Sequence, residues 1–98
     1  MPRRQDIEHA LQRLAPRIPA HEFAVVLDHA LNSAGLRKAA ADSAAWLSLV
    51  AYARHSATDY DELLDEGYDQ DSARHFVRAE LEDVLRAWGV RRPLASSD

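Results

Sequence analysis

Residues 44–61 read Ala-Ala-Trp-Leu-Ser-Leu-Val-Ala-Tyr-Ala-Arg-His-Ser-Ala-Thr-Asp-Tyr-Asp. The first half, Ala44 to Ala53, is apolar apart from Ser48 and the Tyr52 hydroxyl, so a helix built from it has almost no polar side. A helix that is apolar all round is a buried one. This segment is therefore expected to be the central helix, spanning about 42–55, capped by Asp42 or Ser43 and packed on by the rest of the chain. Arg54 and His55 close it, where cations are favoured against the carbonyl end of the helix dipole. The second half crowds a guanidinium, an imidazole, two hydroxyls, a phenol and two carboxylates into eight residues, Arg54 to Asp61. Thr58 to Asp61 reads as a capping box opening a fourth helix, with Asp61 reaching back to the N–H of Thr58.

Upstream, Ile7, Ala10, Leu11 and Leu14 have the i, i+3, i+4, i+7 spacing of a one-striped helix. Pro16 and Pro19 end that helix and restart the chain, because proline disfavours helical geometry in the residue before it. Phe23, Val26, Leu27, Ala30 and Leu31 make the stripe of a second helix, for which Gly35 is the expected left-handed terminator. Downstream, Leu63 and Leu64 mark the short fourth helix. Gly67 stops it, and Tyr68 is expected to pack back on Leu63. Asp69 or Asp71 caps a fifth helix, whose stripe reads Ala73, Phe76, Val77, Leu81, Val84, Leu85 and Trp88. Its opposite face would then carry Arg74, Arg78, Glu82 and Arg86, i, i+4 neighbours of mixed sign. No stretch alternates with the period of a strand. The fold expected is all-α: one domain over residues 5–90, about five helices, with a flexible C-terminal tail at 91–98.

At 98 residues the chain can bury one core. It has no cysteine, which excludes disulfides, thiolate metal sites and cysteine catalysis. The N-terminus has Arg3 and Arg4 but no apolar run behind them, so no signal peptide is read there. The apolar run at 44–53 is too short to span a bilayer, and a cytoplasmic location is the default expectation. The net charge is −4, and because Arg3, Arg4, Arg91 and Arg92 lie near the ends, the body between them is more acidic still. Such a body repels a phosphate backbone.

The stretch Arg54-His55-Ser56-Ala57-Thr58-Asp59-Tyr60-Asp61-Glu62-Leu63-Leu64 resembles the signature of the bacterial and fungal domain-of-unknown-function family 2293, with Gly67, Ala73-Arg74 and Trp88 in matching order. The resemblance covers about residues 15–90. It implies no activity, because none is assigned to the family. What it implies is a set of positions to watch as a candidate binding site: Arg54, His55, Thr58, Tyr60, Asp61 and Arg74.

His55 with Asp59 or Asp61 has the makings of a polarised base or part of a metal site. Helix capping accounts for the same letters without chemistry. The acids at 59, 61, 65, 69 and 71 miss the calcium-loop pattern, with leucine and glutamine where it needs glycine and a bidentate acid. The remaining histidines have no zinc spacing. The three glycines all fall where helices should end, leaving no phosphate-binding loop. Arg74, His75 and Arg78 are candidates for contacting phosphate or an acidic partner, or else for pairing with Asp71, Glu82 and the acidic fourth helix. Arg54 and Arg74 are both expected to face the 59–71 acids in a closed charge network. No cofactor and no catalytic residue is read from the sequence. The preferred reading is a non-catalytic module that works through a protein partner or self-association. The alternatives are an enzyme or metal-dependent domain centred on His55, Asp59 and Asp61, and a nucleic-acid binder using the arginines of the last helix.

Overall fold

The computed structural model describes residues 3–98. Its elements run α1 (Arg3–Leu14), α2 (Ala20–Asn32), a 3-10 turn (Ala34–Leu36), α3 (Ala41–Ala57), α4 (Tyr60–Asp65) and α5 (Gln70–Ala87). The chain is all-α, and no strand occurs among the described residues. Among the described residues no helix is long and apolar enough to cross a membrane.

α3 is the axis of the fold. It packs against α1, α2, α4 and α5. Ala44, Ala45, Trp46, Leu49, Val50 and Ala53 are buried along it, as its all-round apolar sequence requires. Its one interior hydroxyl, Ser48, is fully buried and hydrogen-bonds His29 Nδ1 at 3.0 Å. Burial of a lone hydroxyl is costly, and this bond removes the cost. Ile7, Ala10 and Leu11 of α1, Val26, Leu27 and Ala30 of α2, and Leu81 and Leu85 of α5 complete the main core. Tyr60, Ala73 and Val77 form a second, smaller cluster that ties α4 to α5.

Several local expectations are corrected. α3 begins at Ala41 after Ala40, with no side-chain cap from Asp42 or Ser43; Asp42 turns outward to Arg13 instead, at 2.9 Å. Gly35 does not end α2 in a left-handed conformation. Ser33 does so in extended geometry, and Gly35 sits inside the 3-10 turn. The carbonyls of Leu36 and Ala39 in this connector accept from the Arg3 guanidinium at 2.9 and 3.0 Å.

Gly67 and Gly89 do take positive φ, 103° and 88°. Each builds a paired terminator in which the following residue reaches back five positions. Tyr68 N–H donates to Leu63 O at 3.1 Å and Gly67 N–H to Leu64 O at 3.0 Å. Val90 N–H donates to Leu85 O at 2.9 Å and Gly89 N–H to Arg86 O at 3.0 Å. These bonds satisfy the carbonyls a helix leaves open at its end.

The largest departure is the rotation of α5. Ala73, Val77, Leu81 and Leu85 form its buried centre line, successive i, i+4 positions. Phe76 is not in the stripe: it is 62% exposed, on the solvent shoulder of the helix. Arg74, expected outside, lies on the other shoulder with its Nε atom buried. A rotation of part of a turn separates the expected placement from the observed one, in which Ala73 is buried in one cluster with Tyr60.

The last residues lie against α5 and α3. Leu94 is buried, and its carbonyl accepts from Arg78 at 2.7 Å. Trp46 Nε1 donates to the Asp98 carboxylate at 3.3 Å, and the Arg92 guanidinium stands 4.3 Å over the Trp46 ring.

Candidate functional site

The corner between α3 and α4 positions most of the residues singled out by sequence. Thr58 Oγ1 donates to the Arg54 carbonyl and accepts from Tyr60 N–H at 3.2 Å. It thus closes α3 and opens α4 with one hydroxyl. The reciprocal half of the expected capping box is absent. Asp61 turns to His55 instead, with Oδ1 at 2.6 Å from Nδ1. Both of these side chains are more than half exposed. Among the described residues no third His, Asp or Glu joins them in a group able to hold a metal ion.

Tyr60 is buried, and its ring is shared. The His55 ring meets it edge-on at 5.3 Å, and Arg54 Cζ lies 5.6 Å from its centroid. That distance is within cation–π range. Arg54 itself is only 6% exposed, and its Nε atom has no hydrogen-bond partner. Across from it, on α5, Arg74 presents a second buried Nε atom without a partner. Neither guanidinium has a carboxylate within ion-pair distance among the described residues, so the closed network with the 59–71 acids does not form. Burial holds the Arg54 pKa below the ordinary arginine value, the charge of Arg74 adds to the effect, and Tyr60 and Asp98 oppose it.

Arg54 and Arg74 open into a cleft of about 390 Å³. Arg78, His75, Asp71 and Asp98 form its polar walls, and Leu81 and Leu94 supply its apolar part. Of the six residues anticipated, the fold brings Arg54 and Arg74 together in this cleft. Tyr60 stands behind Arg54, Thr58 holds its backbone, and His55 and Asp61 pair outside on the surface. Asp98 and Leu94 were not anticipated. Leu94, the one large apolar residue after Val90, was the available signal in that segment.

Chemically the two guanidiniums have the donors an anion would need. Two guanidiniums with buried, unpaired N–H donors cost desolvation and repel each other, and an anion placed between them would offset both terms. Only Arg78 of the cleft arginines is committed elsewhere, to the carbonyls of Leu94 and Ala95 and to Glu82 at 3.8 Å.

A family model described as an uncharacterised conserved protein, DUF2293, matches residues 10–89. The chain belongs to this DUF2293 family. The match takes in the α3–α4 corner and the α5 arginines, so the cleft is built from within the family domain, and only its Leu94, Ser96 and Asp98 wall lies beyond the matched residues. No curated protein and no solved structure matches the chain.

Proposed function

We propose that this DUF2293 domain is a non-catalytic binding module that takes up an anionic group, carboxylate or phosphate, of a protein partner between Arg54 and Arg74. The observation that carries this reading is the pair of buried, unpartnered guanidinium N–H groups facing one cleft. Native proteins seldom leave such donors open, and an absent acceptor is the usual reason. His75, Asp71 and Ser96 also line the cleft, but among the described residues no hydrogen bond joins His75 to either of the others, so no nucleophile and base are set in register. The exposed His55–Asp61 pair stands outside the cleft.

A nucleic-acid interface on the arginine face of α5 has less support. Arg86 pairs with Asp83 at 2.9 Å, Arg78 is held by the C-terminal residues, and Arg3 and Arg92 serve the connector and Trp46. With these arginines engaged, this face of an acidic body is a poor match for a phosphate backbone.

The test is a titration with inorganic phosphate, followed through the arginine Nε–H resonances, with sodium chloride of equal ionic strength as control. The Arg54 and Arg74 signals should move together and saturate. The folded state should gain roughly 1.4 kcal/mol when phosphate reaches about ten times its Kd. Arg74→Gln should lose both responses while remaining at least as stable as the parent, because it removes a like charge beside Arg54. Resonances that respond equally to chloride, or that are indifferent to phosphate, would sink the reading.

A further inference from the structure

The same rotation that turns Arg74 inward turns Phe76 outward, and the second consequence is independent of the first. Phe76 is 62% exposed and Tyr68 is 43% exposed. Isolated exposed apolar residues are ordinary. These two are not isolated: their rings meet edge-to-face at 5.4 Å. Both are held by rigid elements, Phe76 on α5 and Tyr68 on the terminator bonded back to Leu63. Both rings line a groove of about 280 Å³ with Leu63 and Val77 along it. Two preordered aromatic rings over an aliphatic groove supply contact area at low entropic cost, the composition that dominates interface cores.

The rim of this groove is acidic. Asp59 and Glu80 line it, and Glu66 adjoins Tyr68 in the neighbouring depression. Asp59 makes no side-chain cap to α4. None of the three acids has an ion-pair partner among the described residues, although four of the chain's five ion pairs use arginine on other acids. Unpaired carboxylates around an apolar groove favour a cationic partner. A second copy of this chain would set acid against acid across the contact.

We infer that the Tyr68–Phe76 groove docks a partner polypeptide segment presenting one large apolar side chain flanked by lysine or arginine. The apolar side chain lies in the groove beside the ring pair, against Leu63 and Val77, and the flanking cations meet Asp59, Glu66 and Glu80. This surface lies on the other shoulder of α5 from the arginine cleft and shares no lining residue with it.

Two synthetic amphipathic peptides test it, one of leucine and lysine and its leucine and glutamate counterpart, titrated into the full chain at about 0.15 M salt. The lysine peptide should shift the backbone resonances of Tyr68, Phe76 and Glu80, and the glutamate peptide should not. Phe76→Ser, at an exposed position, should leave the far-UV spectrum and melting temperature unchanged and weaken lysine-peptide binding by roughly tenfold or more, the scale of a truncated aromatic anchor. Glu80→Lys should weaken it further. Lysine-peptide shifts scattered over all acidic positions and untouched by Phe76→Ser would overturn the inference. So would concentration-dependent self-association in sedimentation that Phe76→Ser abolishes, which would assign the groove to a second copy.

Discussion

At Gly89 a Cβ atom would stand 2.8 Å from Pro16 Cγ, in a backbone conformation of φ 88° that side chains resist. At Gly67 the conformation is similar, but nothing lies within 4 Å. Both glycines are legible in sequence as helix ends. That one of them is also a packing contact is not, because Pro16 and Gly89 are far apart along the chain. Gly89→Ala should therefore cost about 1–3 kcal/mol in backbone strain alone, with the Pro16 clash added, and Gly67→Ala only the strain. Urea unfolding of the two variants separates these cases, and equal losses would remove the role assigned to Pro16. Of the two caps the sequence offered for α5, Asp69 and Asp71, it is Asp69 whose carboxylate accepts from Ser72 N–H, at 2.8 Å. That bond holds its pKa below the ordinary aspartate value. A depressed carboxylate stabilises the fold above its unfolded pKa, and the contribution is lost as pH falls through the folded one. Melting temperatures of the parent and Asp69→Asn should accordingly differ at neutral pH and converge as the solution is acidified below the usual carboxylate range. A difference that persists there would exclude the charge as its source.

The helices themselves follow from periodicity, but their azimuths do not. For α5 the apolar stripe read from the sequence holds Phe76 together with Ala73, Val77, Leu81 and Leu85, and the fold buries the last four and leaves Phe76 out. Hydrophobicity alone would bury Phe76 too, since phenylalanine gains more from burial than alanine. In the observed placement Ala73 is fully buried in one cluster with Tyr60 and Val77. Two consequences follow for this element. Phe76→Ser should change stability by no more than about 0.5 kcal/mol, as at any surface position. Ala73→Leu should be strongly destabilising, by about 1–3 kcal/mol, because it overpacks the Tyr60 contact. Denaturant midpoints of the pair would reverse in order if α5 presented its other face. The α3–α4 corner was legible as a junction for the same reason that its chemistry was not. Local capping rules place Thr58 and Asp61 near the helix ends, yet Asp61 chooses His55 over the backbone, a competition that sequence does not rank.

For the whole molecule, the cleft depends on elements distant in sequence: Arg54 on α3, Arg74 on α5, and Leu94 and Asp98 beyond α5. Leu94 closes the end of the main core and accepts from Arg78. Leu94→Ala should cost about 2 kcal/mol, at the low end for a buried leucine because the site lies at the core's edge. The same variant should alter the arginine Nε–H resonances of the cleft, and unchanged spectra would disconnect the C-terminal residues from it. What the sequence by itself determined was the helix-only class, the centrality of α3, the membership of the DUF2293 family, and the glycines that end α4 and α5. These rest on local periodicity, backbone conformation and pattern, which are written residue by residue. What only the tertiary structure decided was which shoulder of α5 meets α3. That choice leaves Arg54 and Arg74 buried without partners on one side, and Phe76 with Tyr68 open to solvent on the other. It is decided where α5 packs on α3 and α4, contacts between elements that no local propensity encodes.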